Sequence, residues 1–238
     1  MSRLLTEDEA KLYAESLPNY RPNPQTVAQF AASNFTVIAG PAGAGKDTLR
    51  DNLIADYPDI YVPILSTTTR PPREGEVNGQ TYNFTDLEHF NDALTRKEYL
   101  QVALVHNQQL SALHISEVQK LNQIQTGLSI LIVQTEEELR AYHPNIRTIF
   151  VAPPSLEVLK QRIQIERILD SSEISRRLTA AKQEIAFALG QPHYYCMVSD
   201  GVEHITNVAH SYIQTGQIDK AEDERARSIL EKILESLV

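Results

Sequence analysis

Phe35-Thr36-Val37-Ile38-Ala39-Gly40-Pro41-Ala42-Gly43-Ala44-Gly45-Lys46-Asp47-Thr48-Leu49 is the stretch that decides the fold. Its first five residues form an apolar run of strand length, and Leu49 opens a segment of helical period. Between them stands G-x-x-x-x-G-K. The glycines let the backbone wrap so that successive N–H groups point inward, and a helix start adds the positive end of its dipole. Such a nest suits the phosphates of a nucleotide, with Lys46 reaching the β- and γ-phosphates. The candidate contacts are Gly40, Pro41, Ala42, Gly43, Ala44, Gly45, Lys46, Asp47 and Thr48. The competing reading, a glycine-rich turn with no ligand, is disfavoured by the strand before the loop and the helix after it. The position after the lysine usually carries a Ser or Thr whose hydroxyl binds Mg²⁺. Here it is Asp47, followed by Thr48. A carboxylate there repels phosphate unless metal intervenes. Asp47 and Thr48 are therefore the candidate Mg²⁺ ligands, and the alternative is that Asp47 points away.

Outward from the loop, further apolar runs fall at 60–65, 100–105, 128–133, 146–151 and 195–198, with helical period in most of the longer stretches between them. Strand-helix alternation predicts an α/β fold, a mainly parallel sheet covered by helices on both faces. Thr6-Glu7-Asp8-Glu9 fits a capping box, which predicts a helix to about Leu17. Pro18, Pro22 and Pro24 break it, and Asn23-Pro24 reads as the cap and first residue of a second helix through about Ala32. Residues 1–34 are thus a helical extension. Ile229, Leu230, Ile233 and Leu234 mark an amphipathic helix over 221–238.

The chain carries 22 Lys or Arg against 31 Asp or Glu, a net charge of −9. An acidic chain is a poor general ligand for nucleic acid or an anionic membrane surface, so any phosphate chemistry has to be local. Hydrophobic residues make up 42% of the chain, enough to bury a core. A single cysteine, Cys196, has no internal partner. It reads as a buried strand residue in a reducing compartment. No run approaches the roughly 18 apolar residues of a membrane span, and Glu7, Asp8 and Glu9 sit where a signal peptide would be apolar. The expectation is a soluble cytoplasmic protein. The seven histidines show no metal-ligand spacing, and Glu136-Glu137-Glu138 reads as the acidic first turn of a helix.

Ser66-Thr67-Thr68-Thr69-Arg70-Pro71-Pro72-Arg73-Glu74-Gly75-Glu76-Val77-Asn78-Gly79-Gln80-Thr81-Tyr82-Asn83-Phe84 is the second informative stretch. Pro71 and Pro72 stiffen the backbone between two guanidinium groups, so less entropy is lost when both converge on one anion. The alternative is a solvated proline loop. This stretch resembles the guanylate kinase family, as do Ile149-Phe150-Val151-Ala152-Pro153-Pro154-Ser155 and Ile174-Ser175-Arg176-Arg177-Leu178. The likeness spans about residues 35–216. It implies a P-loop kinase fold with an acceptor-binding insert over about 66–127 and a lid over about 162–175, flanked by the extension 1–34 and a C-terminal helix in 217–238. It implies ATP-dependent transfer of the γ-phosphoryl group to a nucleoside monophosphate with Mg²⁺, GMP or dGMP being the default acceptor. By position Ser66, Arg70, Arg73 and Tyr82 match residues that hold the acceptor. Arg162 and Arg177 match lid-region arginines that neutralise the transferred group, and Lys46 matches the loop lysine. Lys46, Arg70, Arg162 and Arg177 are thus the candidate catalytic residues. Positioning and charge neutralisation carry phosphoryl transfer, so no nucleophile is needed.

The pattern departs from the family on the acceptor side. Gln101 stands in Tyr99-Leu100-Gln101-Val102-Ala103 where the family has a glutamate that reads guanine. A glutamate accepts from two guanine donors, whereas Gln101 offers one acceptor and two donors. The unpaired donor costs about 1–3 kcal/mol, tenfold or more in preference. Asn107-Gln108-Gln109-Leu110-Ser111-Ala112 replaces G-N-Y-Y-G-[ST] and loses a phosphate-binding tyrosine, while Val133 and Thr135 stand at acidic positions. His106, like the other histidines, reads as a surface or capping residue, the alternative being that it replaces a family residue near the acceptor. In Ile165-Glu166-Arg167-Ile168-Leu169-Asp170, either Arg167 substitutes for a lid arginine or the lid no longer closes productively. Ser199-Asp200 aligns with a pair near the donor nucleotide, to hold adenine or to turn the chain. Two other functions stay open. One is a related kinase for another phosphorylated acceptor such as a ribose bisphosphate, since that relative also has G-K-D at the loop. The other is a nucleotide-binding regulatory or scaffold protein without turnover. Scaffold relatives resemble the opposite case, with a degraded loop, so the retained Gly40, Gly45 and Lys46 favour an enzyme acting on small-molecule nucleotides.

Overall fold

A strand buried between two helix layers has to be apolar on both faces. Residues 35–39 meet that condition and form β1 (Asn34–Ala39), buried from its second residue on. The computed structural model describes residues 2–105, 107–166 and 171–237. β1 pairs in parallel with β8 (Arg147–Ala152), and β8 pairs in parallel with β9 (Tyr194–Val198). With β2 (Tyr61–Ile64) and β7 (Thr126–Ile130) they make a mainly parallel five-stranded sheet ordered β2-β7-β1-β8-β9. A second sheet holds β3 (Thr67–Thr68), β4 (Asn83–Phe84), β5 (Tyr99–Val105) and β6 (Gln109–His114), in the order β4-β3-β6-β5. The chain divides into two compact units. One comprises Phe35–Val62, Ile130–Glu136 and Ile146–Val238, the other Met1–Asn34, Pro63–Ser129 and Glu137–Asn145.

The first unit carries α3 (Lys46–Asp56), α7 (Leu156–Glu166), α8 (Ser171–Leu189), α9 (Val202–Thr215) and α10 (Lys220–Ser236). Its core is built from Val37, Ile38, Ile149 and Phe150 on the strands with Leu53 and Leu159 on the helices, all fully buried. Cys196 is buried there too, and burial pushes its thiol up to about 12, so it is chemically quiet. Strand β9 is an edge, and α10 supplies what a neighbouring strand would have given it. The N–H groups of Cys196 and Val198 donate to Asp223 Oδ1 at 2.8 Å and Glu222 Oε1 at 2.7 Å, and the Tyr194 carbonyl accepts from Arg227 Nη2 at 2.6 Å. Edge groups that would otherwise template aggregation are thereby satisfied.

The second unit carries α1 (Glu7–Ser16), α2 (Pro24–Ala31), α4 (Leu87–Thr95) and α5 (Ile115–Gln119). Both expected helix starts are in place: Thr6 and Glu9 form the capping box, and Asn23 accepts from the Thr26 N–H with Pro24 in the first turn. Phe90 and Ala93 of α4 pack against Tyr99, Val102, Leu110 and Ala112, and Tyr13 of α1 joins that cluster. At the β5 edge the Tyr20 hydroxyl donates to the Tyr99 carbonyl at 2.7 Å and accepts from the Tyr99 N–H at 3.1 Å. The N-terminal extension therefore covers one edge strand and α10 another.

Three expectations change. The apolar run 128–133 is not one strand: β7 ends at Ile130, and Val133 opens α6 (Val133–Tyr142), where the Thr135 and Glu136 N–H groups turn back to the Ile132 carbonyl. The run 100–105 lies in the second sheet, paired antiparallel with β6. Glu136 does sit in a first helical turn, yet it is fully buried and accepts from Thr148 Oγ1 at 2.6 Å and Tyr194 OH at 2.8 Å. Among the described residues no helix is long and apolar enough to cross a membrane.

Candidate active site

Loop 40–45 leaves β1 and ends at the start of α3, as the motif requires. Gly40 has φ +138°, and a Cβ there would meet the Val151 carbonyl oxygen at 2.6 Å, so no other residue lets the loop cross β8 this closely. Gly45, at φ +102°, caps α3 in the left-handed region. Lys46 Nζ folds back over the loop, donating to the Gly40 carbonyl at 2.7 Å and the Pro41 carbonyl at 2.9 Å. Asp47 and Thr48 lie in the first turn of α3. The Asp47 side chain is 76% exposed and stands 3.4 Å from Arg50. Mg²⁺ takes near-octahedral oxygen ligation from phosphates and water with one or two carboxylates, and an exposed carboxylate beside a phosphate nest fits that pattern.

Arg162, on α7, braces this loop. Its Nη1 donates to Ser199 Oγ at 2.8 Å and to the Ala44 carbonyl at 3.3 Å, and Nη2 donates to the Ser199 carbonyl at 2.9 Å. Ser199 thus holds the arginine, while Asp200 pairs with Arg225 of α10. Gly43, Gly45, Thr48, Arg162, Ser199 and Val202 line a cavity of about 380 Å³ beside the loop, with Ile165 at its rim. Arg177, on α8, donates from Nε to Glu173 Oε1 at 3.0 Å, and Arg176 pairs with the same carboxylate from a more exposed position. Arg167 lies outside the described residues, as do His106 and most of the stretch compared with the lid motif. Glu184 of α8 is a residue that motif reading passes over. Burial pushes its carboxyl up to about 7, with the Lys46 charge acting in the opposite direction.

In the other unit the arginine segment closes on a carboxylate. Arg70 donates from Nη1 and Nη2 to the two oxygens of Glu76 at 2.5 and 2.8 Å, and the Arg73 N–H donates to Glu76 Oε2 at 2.7 Å. The paired side chains are only 6% and 13% exposed. Burial alone would lower the Arg70 pKa, but the bonds from Glu76 outweigh it and leave the arginine raised. Burial likewise opposes ionisation of Glu76, and Arg70 with the Arg73 N–H overcomes it and holds the carboxyl below its ordinary value. The Arg70 guanidinium sits over the Tyr82 ring at 4.9 Å and the Phe84 ring at 5.3 Å. Arg70, Arg73 and Tyr82 are therefore gathered around Glu76. Glu117, buried on α5, flanks Ser66: it accepts from the Leu65 N–H at 3.1 Å and from Asn83 Nδ2 at 2.8 Å. Motif reading missed Glu76 and Glu117. A carboxylate inside a loop that already holds two arginines was the available signal for Glu76, and Glu117 had none.

Gln101 is buried on β5 and lines a cavity next to the N-terminal extension. Leu110 is fully buried, its N–H held by Thr69 Oγ1, so it takes no ligand role. Val133 and Thr135 are buried and bring no carboxylate.

Residues 32–216 match the family model described as guanylate kinase. A guanylate kinase of Helicobacter pylori is 31% identical over 182 residues, covering 76% of this chain and 87% of its own. One of Nostoc sp. is 37% identical over 162 residues, covering 66% of this chain and 78% of its own. The crystal structure of guanylate kinase from Anaplasma phagocytophilum superimposes with a TM-score of 0.59 at 20% identity, covering 87% of this chain and 97% of its own, and so shares the fold. With a formed phosphate loop and a matching arginine segment, this chain belongs to the guanylate kinase family and is a phosphotransferase of the nucleoside monophosphate kinase type.

Proposed function

We propose that the chain transfers the γ-phosphoryl group of ATP to a nucleoside monophosphate, with GMP and dGMP as first candidates. One observation carries the reading: a complete phosphate loop with Lys46 on its carbonyls occurs in the same chain as an arginine, Arg70, already oriented by Glu76. Loop N–H groups and the N-terminus of α3 hold the donor phosphates, and Lys46 exchanges carbonyl bonds for phosphate ones. The cavity of about 380 Å³ at Arg162 and Ser199 receives the donor base. Arg162 acts there as a brace for the loop, and Arg177 of α8 supplies charge. Arg70 and Arg73 grip the acceptor phosphate with Tyr82 beside them and Ser66 nearby, which orients the attacking oxygen and neutralises repulsion between two anions. Asp47, with Thr48 next to it, holds Mg²⁺, which when bound neutralises donor phosphate charge. The lone, buried Cys196 supports a cytoplasmic setting.

The test is ADP release from ATP and Mg²⁺ with each nucleoside monophosphate and with a ribose bisphosphate. Turnover with GMP or another nucleoside monophosphate is expected. No turnover with any of them, in a protein that binds ATP, overturns the reading, and turnover with the ribose bisphosphate alone replaces it.

A further inference from the structure

Residues 2–31 lie outside the matched family segment, yet two of them are bonded to the backbone beside the arginine segment. The Arg3 N–H donates to the Thr69 carbonyl at 2.9 Å, and the Leu5 N–H donates to the Gln108 carbonyl at 2.7 Å. The first carbonyl lies between the end of β3 and Arg70; the second lies just before β6. Thr69 is fixed at its other polar groups too. Its N–H donates to the Leu110 carbonyl at 3.2 Å, its Oγ1 accepts from the Leu110 N–H at 3.0 Å, and the residue is only 1% exposed. A carbonyl buried in this way needs a donor, and Arg3 is that donor. The Thr69 carbonyl also belongs to the planar peptide unit that carries the Arg70 nitrogen. A bond to its oxygen therefore fixes the direction in which the Arg70 N–Cα bond leaves, at the opposite end of the residue from the grip of Glu76.

The donor is itself held. Arg3 Nη1 and Nη2 donate to Glu9 Oε2 and Oε1 at 2.7 and 2.5 Å, and Glu9 Oε2 also accepts from the Thr6 N–H at 2.8 Å. The carboxylate that completes the capping box of α1 thus doubles as the anchor of residues 3–6. Leu5 packs against the cluster of Phe90, Tyr99 and Leu110, which Tyr13 of α1 joins.

We propose that residues 3–9 are a positioning element for the acceptor clamp, in which the Arg3 N–H sets the aim of Arg70 through the Thr69 carbonyl. The proposal rests on the reading that Arg70 holds the acceptor phosphate. Arg3 acts only through Thr69 and does not touch the phosphate. A group that orients a reactant works best when its own geometry is set before binding, and small displacements of its support are enough to lose that. Arg70 is held at both ends, its backbone by Arg3 and its guanidinium by Glu76. An extension that only covered a sheet edge would stabilise the fold and leave acceptor binding alone.

The full chain is tested with Arg3→Pro, which removes the N–H, and with Arg3→Ala, which keeps it and removes the guanidinium. Steady-state kinetics give the acceptor and ATP KM, and hydrogen exchange is followed over residues 68–76. Arg3→Pro should raise the acceptor KM about five- to tenfold, leave the ATP KM unchanged and speed exchange over 68–76, whereas Arg3→Ala should change each by less than about twofold. Deletion of residues 2–5, a second route to the same loss, should raise the acceptor KM at least as much as Arg3→Pro. If both Arg3→Pro and the deletion keep a wild-type acceptor KM, the proposal falls and the kinase reading stands. Equal rises in acceptor KM for Arg3→Pro and Arg3→Ala, or a rise of the same size in the ATP KM, overturn the role given to the Arg3 N–H. If no monophosphate turns over with the wild type, while exchange over 68–76 speeds up in Arg3→Pro and not in Arg3→Ala, the kinase reading falls and the brace on Arg70 stands.

Discussion

Lys46 and Arg70 are the candidate phosphate-binding cations of the two units, and the hydrogen bonds described for them go to different kinds of partner. Lys46 leans on two neutral carbonyls of its own loop, at 2.7 and 2.9 Å. Arg70 is gripped by both oxygens of a carboxylate and donates in addition to the Pro71 carbonyl. Charge-assisted bonds are roughly twice as strong as neutral ones. On the proposed reading a phosphate oxygen would displace the carbonyls at Lys46, whereas at Arg70 it would be added on the N–H groups that Glu76 leaves over. One residue is a point charge on a flexible stem; the other is a planar fork aimed beforehand. The difference suits a donor site that must follow charge as it develops and an acceptor site that must fix an orientation.

The largest effect should come from removing the mobile charge. Lys46→Met is expected to lower kcat by about 10²–10³ while the acceptor KM changes little, because the lost bonds are those that strengthen in the transition state. Retention of more than a tenth of wild-type kcat would show that the loop is not the donor site. The scaffold that lets Lys46 move is itself rigid. Gly40→Ala forces a Cβ against the Val151 carbonyl at φ +138°, and should cost about 2–4 kcal/mol of stability in denaturant titration. An unchanged midpoint would mean that the loop yields where the geometry says it cannot.

Glu76→Gln tests the fixed partner. The substitution keeps the shape and removes the charge, so Arg70 retains one neutral acceptor and loses its defined aim. The acceptor KM should rise about tenfold with the ATP KM unchanged. Because Arg70 holds the Glu76 carboxyl below its ordinary value, the pair's stabilisation is complete at neutral pH and is lost only as pH falls through that lowered pKa. The loss of stability caused by Glu76→Gln should accordingly stay constant from pH 8 to pH 5 in denaturant titration. A loss that shrinks from pH 6 downward would show that the clamp is weaker than its geometry indicates.

The phosphate loop was the legible part, for a physical reason. Strand, glycine turn and helix start within residues 35–49 are all local, so glycine spacing and apolar runs report them directly. The surroundings of the arginine segment are made by return contacts. β3 and β4 are two residues each, too short to show a period, and β6 carries Gln109, Ser111 and His114 among its six residues. The Arg70–Glu76 pair exists only once a proline loop folds back on itself, and the Glu117 bonds to Leu65 and Asn83 span 52 and 34 residues. The boundary between β7 and α6 was hidden because an apolar run buried in a strand and one buried in a helix read alike.

Glu184 supplies the smallest and most discriminating test, because it asks whether Lys46 also has a carboxylate partner. Burial raises this carboxyl from 4.5 to about 7, and the nearby Lys46 charge only moderates the shift. The folded chain thus keeps a proton that the unfolded chain has already released, and stability declines as pH rises from about 4.5 through 7 and then levels off. Glu184→Gln removes that penalty. It should stabilise the protein by about 1–3 kcal/mol more at pH 8 than at pH 5, in thermal melts at the two pH values. In a Lys46→Met background the gain at pH 8 should grow, since the Lys46 attraction that favours the charged form is gone. Equal gains at both pH values would mean that Glu184 is ionised throughout, as Glu76 is. Lys46 would then share the fixed-partner design of Arg70, and the contrast between the two sites would reduce to distance alone.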